Sequence, residues 1–300
     1  MKPLRLIPLF LLGILIASAQ TPAAAAEPAP AAPAKKAAEP EVAPREHEGA
    51  ETFIYRDTSP EPLRIFVIKP KGWKASDRRP AFMFFFGGGW TTGTTKNSIG
   101  WAKWAADLGM VGIIPDYRTK NRFGTSPLFS VADSRAALRW AQDHAAELGI
   151  DPAKVTVGGS SAGGHVALWT GITATPPGSS ATEAPIKKAA ALVLFSAVSD
   201  TSEKTGYTPK RFGEHTTALS PVHQLDAQMP PVLAFHGDAD PIVPMAQSVA
   251  LRDKLTATGN VCELVVVPGG NHNFSGQFPE WREKSRKLIE AFLTQQGLLR

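Results

Sequence analysis

Several things are scarce in this sequence, and each shortage removes a class of explanation. There is one cysteine in 300 residues, Cys262, so no internal disulfide can brace the chain. Charge of one sign is also lacking: 32 basic residues face 27 acidic ones, and the basic pairs Arg78/Arg79, Lys187/Lys188 and Lys210/Arg211 are scattered without interleaved aromatics. A nucleic-acid footprint is therefore not expected. The longest apolar stretch, Leu6 to Ala17, falls short of the roughly twenty residues that span a bilayer. No cluster of His, Cys and carboxylate has metal-ligand spacing, so chemistry without a cofactor is expected. No internal repeat is visible, which argues against propellers and solenoids.

What is there falls into three parts. Lys2 and Arg5, then the apolar stretch, then Ala17-Ser18-Ala19 have the layout of a secretory signal peptide over residues 1–19, with cleavage expected after Ala19. An exported protein, periplasmic or extracellular and without stable membrane insertion, is the corresponding expectation; the lack of a cysteine after the leader argues against a lipid anchor. Residues 20–46 are mostly Ala and Pro and offer almost no large side chain to bury, as in a spacer. Residues 47–300 remain, about 250 in all, enough for one domain with a sizeable core.

Within that body, Phe53, Tyr55, Leu63, Ile65 and Val67 alternate with polar residues on either side of Ser59-Pro60-Glu61-Pro62, the pattern of an antiparallel hairpin. Short apolar runs follow at Ala81–Phe86, Val111–Ile114, Val155–Val157, Ala190–Phe195, Val232–Phe235 and Val261–Val267. Unbroken runs of this kind read as strands buried on both faces of a parallel sheet, with Cys262 packed in the core. Between two of them, Ser126-Pro127 reads as a helix start and Gly149 as a stop, with Phe129, Ala136, Trp140 and Leu148 at helical spacing. The alternation predicts an α/β fold, a doubly wound and mostly parallel sheet with an antiparallel opening hairpin.

One turn carries chemistry. The strand ending at Val157 runs into Gly158-Gly159-Ser160-Ser161-Ala162-Gly163-Gly164 and then a helical run from His165. Gly-x-Ser-x-Gly between strand and helix is a nucleophile elbow, so sharp that positions two before and two after the nucleophile have no room for a Cβ. Gly159 and Gly163 meet that need around Ser161; Ser160 does not, because Ala162 lies two residues after it.

On these residues the chain resembles the α/β-hydrolase superfamily over nearly the whole body. The resemblance implies a triad in the order Ser, acid, His. The loop His236-Gly237-Asp238-Ala239-Asp240 looks like the acid loop of esterases and prolyl-oligopeptidase-like hydrolases, which implies Asp240 as the acid ahead of Asp238, a turn-capping competitor, and the weaker Asp200. The loop Gly269-Gly270-Asn271-His272-Asn273-Phe274 implies His272 as the base. His165 and His236 have plainer roles as packed or scaffolding neighbours. The backbone N–H of Ala162 and those of Gly88 and Gly89, in Phe86-Gly87-Gly88-Gly89-Trp90, are the implied oxyanion donors, with the register open by one.

Phe86 stands where the lipase and esterase His-Gly-Gly-Gly pattern has His. The string resembles instead bacterial esterases, some of which act on acetylated or feruloylated plant polysaccharides, as does Asp116-Tyr117-Arg118. Trp90 and the aromatics Tyr207 and Phe212 are candidates for lining the substrate side. The expectation is a serine-dependent carboxylic-ester hydrolase acting on small or carbohydrate esters with short acyl chains. A prolyl-oligopeptidase-like peptidase and a catalytically inactive binding protein on the same fold are the alternatives.

Overall fold

The computed structural model describes residues 41–179 and 187–299. The leader and most of the spacer lie outside them. The body begins earlier than residue 47: Ala43 is buried, and Glu41 Oε1 accepts a hydrogen bond from Thr94 Oγ1 at 3.3 Å. Residues 41–46 thus join the folded unit through buried Ala43 and the Thr94–Glu41 bond, which their composition does not announce.

Among the described residues, eight strands form one sheet: β1 (Glu51–Arg56), β2 (Leu63–Ile68), β3 (Arg79–Phe85), β4 (Val111–Pro115), β5 (Ile150–Ser160), β6 (Ala191–Phe195), β7 (Val232–Gly237) and β8 (Cys262–Val267), in the spatial order β1-β2-β4-β3-β5-β6-β7-β8. β2 pairs antiparallel with both β1 and β4, and every other pair is parallel. Eight α-helices lie among the described residues: α1 (Ile99–Asp107), α2 (Lys120–Phe123), α3 (Pro127–Asp143), α4 (Ala145–Leu148), α5 (Ala162–Leu168), α6 (Ala246–Ala257), α7 (Phe274–Gln277) and α8 (Pro279–Gln295). The chain is thus an α/β protein with a doubly wound sheet and an antiparallel opening.

Strand alternation divides the core into two layers. Met83, Phe85, Ile113, Val157, Leu194 and Ala234 point to the face covered by α3, α5 and α6. Phe82, Phe84, Ile114, Val193, Phe195 and Phe235 point to the other face, under α1 and α8. Strands β3, β4, β6 and β7 are buried almost throughout, as apolar runs covered on both faces must be. β8 departs from the expectation: it is the edge strand, Glu263 and Val266 are exposed, and Cys262 is only half-buried.

The long helix departs too. It breaks at His144, and the expected stop is kept, since Gly149 takes φ +63° after α4. Its buried face, however, is not the one marked by Phe129 and Trp140: Phe129 is 39% exposed. The face turned inward carries Val131, Leu138 and Ala141 together with Ser130, Asp133, Ser134 and Arg135. These polar groups are tolerated because each has partners. Asp133 takes a bidentate pair from Arg118 and a third bond from Arg56, Arg135 donates to the carbonyls of Trp169 and Ile172, and Ser134 donates to the Val166 carbonyl. Apolar spacing alone misplaced the stripe for that reason.

Candidate active site

Ligands of open α/β sheets bind outside the carboxyl ends of the strands. The loops after β3, β5, β7 and β8 meet there. β5 turns into α5 at Ser161, whose φ of +54° and ψ of −121° are costly for a residue with a Cβ. The elbow is held by Ser161 N–H donating to the Phe195 carbonyl at 2.8 Å and by the Ser161 carbonyl accepting from His165 and Val198. A Cβ on Gly159 would lie 2.2 Å from the Gly163 carbonyl oxygen, and one on Gly163 would lie 2.3 Å from the carbonyl oxygens of Phe85 and Phe86. The close approach inferred from the motif is therefore met on both sides of Ser161.

Asp240 and His272, the expected acid and base, come together across two loops. His272 Nδ1 donates to Asp240 Oδ2 at 2.7 Å, and Asp240 Oδ1 accepts from the N–H groups of Ile242 and Val243 at 2.8 and 3.1 Å. Burial would raise the Asp240 pKa, but the His272 bond and these backbone donors outweigh it and hold the carboxyl below its ordinary value. Asp238 has a different task. Its Oδ1 accepts from Gly269 N–H at 2.7 Å, which ties the acid loop to the base loop, and Ala239 N–H to the Gly270 carbonyl adds a second tie. Phe274, two residues past His272, is buried against Phe195 and Trp281 and anchors the base loop in the core. Asp200 is elsewhere, accepting from Ser202, Thr205 and Ser220.

Ser161 and His272 line one cleft of about 710 Å³ with Gly87, Gly88 and Gly89. Gly87 is the glycine placed against Ser161, since a Cβ there would come within 3.3 Å of the Ser161 Cβ. Gly88 has φ +133° and Gly89 +60°; the Gly88 carbonyl accepts from the N–H groups of Thr91 and Thr92, and the Gly89 carbonyl from Arg211 at 2.7 Å. The N–H groups of Gly88 and Gly89 have no partner among the described residues. Nor does helix geometry give one to Ala162 N–H, the first of α5, where the helix dipole also favours negative charge.

The Phe86 departure has a physical account. Phe86 is buried and stacks on Tyr117 with ring centroids 4.2 Å apart, while Tyr117 Oη donates to the Phe86 carbonyl at 2.8 Å. The Asp116-Tyr117-Arg118 string thereby props the glycine loop from beneath, with Arg118 fixed on Asp133 and Asp116 on Arg122.

Trp90 does not line the cleft. It is 2% exposed and packs edge-on against His165 and Phe212 beneath the loop, and it borders the adjoining cavity beside Gly89, Lys120 and Arg211 instead. Phe212 is buried with it, whereas Tyr207 does reach the cleft. Sequence reasoning missed Glu41, Asn97, Arg211, Ile242 and Asn273, which line it as well. Glu41 was hidden in the Ala/Pro spacer, Asn273 sits in the base-loop motif beside His272 without marking itself as a lining residue, and Asn97, Arg211 and Ile242 carry no role in the motifs.

Both scaffolding histidines are buried. His236 bonds Ser248 Oγ through Nδ1 at 2.7 Å and the Val243 carbonyl through Nε2 at 2.9 Å, with Nε2 also 3.2 Å from Asp240 Oδ2. His165 Nε2 donates to the Leu219 carbonyl at 2.8 Å, and burial pushes its pKa down to about 4 from 6.5. The unfolded chain therefore takes up a proton in that window that the folded chain refuses. Stability rises with pH between about 4 and 6.5, by up to about 3 kcal/mol from His165. His236, also lowered by burial, adds in the same direction. The urea midpoint of the parent should fall between pH 7 and 4.5, and His165→Gln should show a smaller fall; an equal fall would dismiss the account.

The BD-FAE family model matches residues 67–255. Esterase LipQ of Mycobacterium tuberculosis is 28% identical over 229 residues, 67% of this chain and 53% of that protein, so the chain spans about half the length of the curated relative. Esterase 2 of the planctomycete Thermogutta terrifontis is similar as a solved structure. Its butyrate-bound form has a TM-score of 0.78 at 34% identity, covering 84% of this chain and 96% of that one. The form phosphorylated by paraoxon has a TM-score of 0.76 at 35% identity, covering 85% and 96%.

Proposed function

The chain belongs to the BD-FAE family of α/β-hydrolases, and from that premise we propose that it hydrolyses carboxylic esters through an acyl-enzyme on Ser161. The observation that carries this reading is the 2.7 Å bond from His272 to a buried, ionised Asp240 in the cleft where the elbow presents Ser161. His272 Nε2 takes the Ser161 hydroxyl proton as Oγ bonds to the carbonyl carbon. The oxyanion that forms is met by the N–H groups of Gly88, Gly89 and Ala162. When the tetrahedral adduct collapses, the bond to the alcohol oxygen breaks and His272 returns the proton to it. Water then repeats the sequence on the acyl-enzyme, releasing the acid and restoring Ser161.

The cleft suits a short acyl chain and a polar alcohol such as a carbohydrate. Among the described residues, Ile242 is the one aliphatic side chain in its lining; Tyr207, Asn97, Asn273, Thr91 and Thr92 are hydrogen-bonding groups. The butyrate-bound form of the Thermogutta enzyme supports the short acyl end of this reading. Residues 1–19 are read as an export leader, so N-terminal sequencing of exported protein should begin at Gln20.

The test is a panel of 4-nitrophenyl acetate, butyrate and long-chain esters, acetylated xylan and a proline-containing peptide, with paraoxon labelling followed by peptide mass spectrometry. Cleavage of the short esters and of acetylated xylan, with label on the Ser161 peptide, is expected. Cleavage of the peptide alone, or inertness to esters and paraoxon alike, would reject the proposal.

A further inference from the structure

A second cavity, of about 530 Å³, adjoins the cleft and shares Gly89, Thr91 and Arg211 with it. Its walls come from the glycine loop, α2, the entry to α3 and the short turn Pro209–Arg211. Three cations line it, Lys120, Lys210 and Arg211, and no carboxylate does. None of the three forms an ion pair among the described residues, whereas Arg56, Arg64, Arg79, Arg118 and Arg122 each meet an Asp or Glu. Like charges gathered in one concavity raise its positive potential and favour an anion there.

The trio is also tied to the reacting centre. Arg211 Nη1 donates to the Gly89 carbonyl at 2.7 Å, which pins the guanidinium on the border between the two cavities and leaves Nε and Nη2 without a partner among the described residues. Lys120 N–H donates to the Trp90 carbonyl at 2.8 Å, so its backbone is rooted in the same loop. A planar guanidinium with donors to spare and two ammonium groups form a donor set for a planar anion.

We propose that this cavity receives a carboxylate carried by the substrate, so that the preferred ester belongs to an acidic molecule, of the kind a uronate-bearing carbohydrate would present. This rests on the ester-hydrolase reading above and adds a charge preference to it. Arg211 is the specificity-determining residue, because it alone of the three touches both cavities, and Lys120 and Lys210 supply the field behind it.

Two matched substrate pairs test the proposal by ratio. 4-Nitrophenyl acetate is compared with 5-acetoxy-2-nitrobenzoate, which bears the carboxylate on the leaving group, and 4-nitrophenyl valerate with mono-4-nitrophenyl glutarate, which bears it on the acyl group. In at least one pair, the anionic-to-neutral ratio of kcat/KM should fall about ten- to hundredfold in Arg211→Gln and in the Lys120→Ala/Lys210→Ala double variant, the worth of a charge-assisted hydrogen bond. It should also fall in about 0.5 M sodium chloride, where exposed charges are screened. Ratios that both sets of variants leave unchanged in both pairs would overturn the proposal. Should neither neutral nor anionic esters be hydrolysed, the ester-hydrolase reading is what fails. Calorimetric titration with glutarate then decides the cavity alone: binding lost in Arg211→Gln sustains it, and no binding to the parent ends it.

Discussion

Ser161→Ala should lower kcat on 4-nitrophenyl acetate by about 10⁶-fold, roughly 8 kcal/mol of barrier, while leaving the fold intact. The size follows from what remains and what is lost. The N–H groups of Gly88, Gly89 and Ala162 are backbone groups that the substitution does not remove, so some polarisation of a bound ester persists, with residual catalysis about 10³- to 10⁴-fold over water. The nucleophile and the acyl-enzyme route vanish. The strained backbone at φ +54° is the same for alanine, and the Ser161 N–H and carbonyl bonds to Phe195, His165 and Val198 involve no side chain, so thermal unfolding should stay within about 1 kcal/mol of the parent. Paraoxon should label the parent and not the variant. Retained turnover in Ser161→Ala would remove Ser161 from the mechanism; Ser160, which lines the same cleft, would be the residue to substitute next.

Asp240→Asn carries the second largest effect, a loss of about 10⁴-fold in kcat. As the carboxylate accepts from Nδ1–H of His272 at 2.7 Å, Nε2 is left free to take the Ser161 proton. An amide can turn its NH₂ toward Nδ1 instead, which places the imidazole proton on Nε2, where it cannot accept another. The remaining amide oxygen can still accept from Ile242 and Val243, so the loop should hold. Asp238→Asn is the control. It weakens the bond to Gly269 N–H that joins the acid and base loops, and should cost no more than about tenfold through looser placement of His272. The reverse ranking would exchange the roles of the two aspartates.

These two predictions began as motif readings, and they show how the sequence carries a site. Ser161 was legible by itself, because an elbow that needs glycine at two fixed positions writes its steric demand into neighbouring residues, and the distances at Gly159 and Gly163 meet that demand. The choice between Asp238 and Asp240 was not legible from the residues alone; it came by family resemblance, since both aspartates occupy one loop and only the path of the β8–α7 loop decides which meets His272. The two buried faces of the sheet were readable wherever apolar runs were unbroken, but β8 reads the same and lies at the edge, because a run of valines says nothing about having a neighbour on one side only. On α3 the inward stripe was misread, as Asp133 and Arg135 look like solvent residues until Arg118 and the Trp169 and Ile172 carbonyls are seen around them.

The sequence by itself determined the elements that local sterics and periodicity govern: the strands, the elbow at Ser161 and the glycine loop at residues 87–89. Only the tertiary structure decided what depends on neighbours far apart in the chain. It turned Trp90 inward beneath the loop, put Tyr117 under Phe86 and brought Glu41 and Arg211 to the cleft. It also gathered Lys120, Lys210 and Arg211 round one cavity with no ion pair to any of them among the described residues. Side-chain surroundings are set by which loops meet at the ends of β3, β5, β7 and β8, and that meeting is a property of the whole sheet and of no single segment.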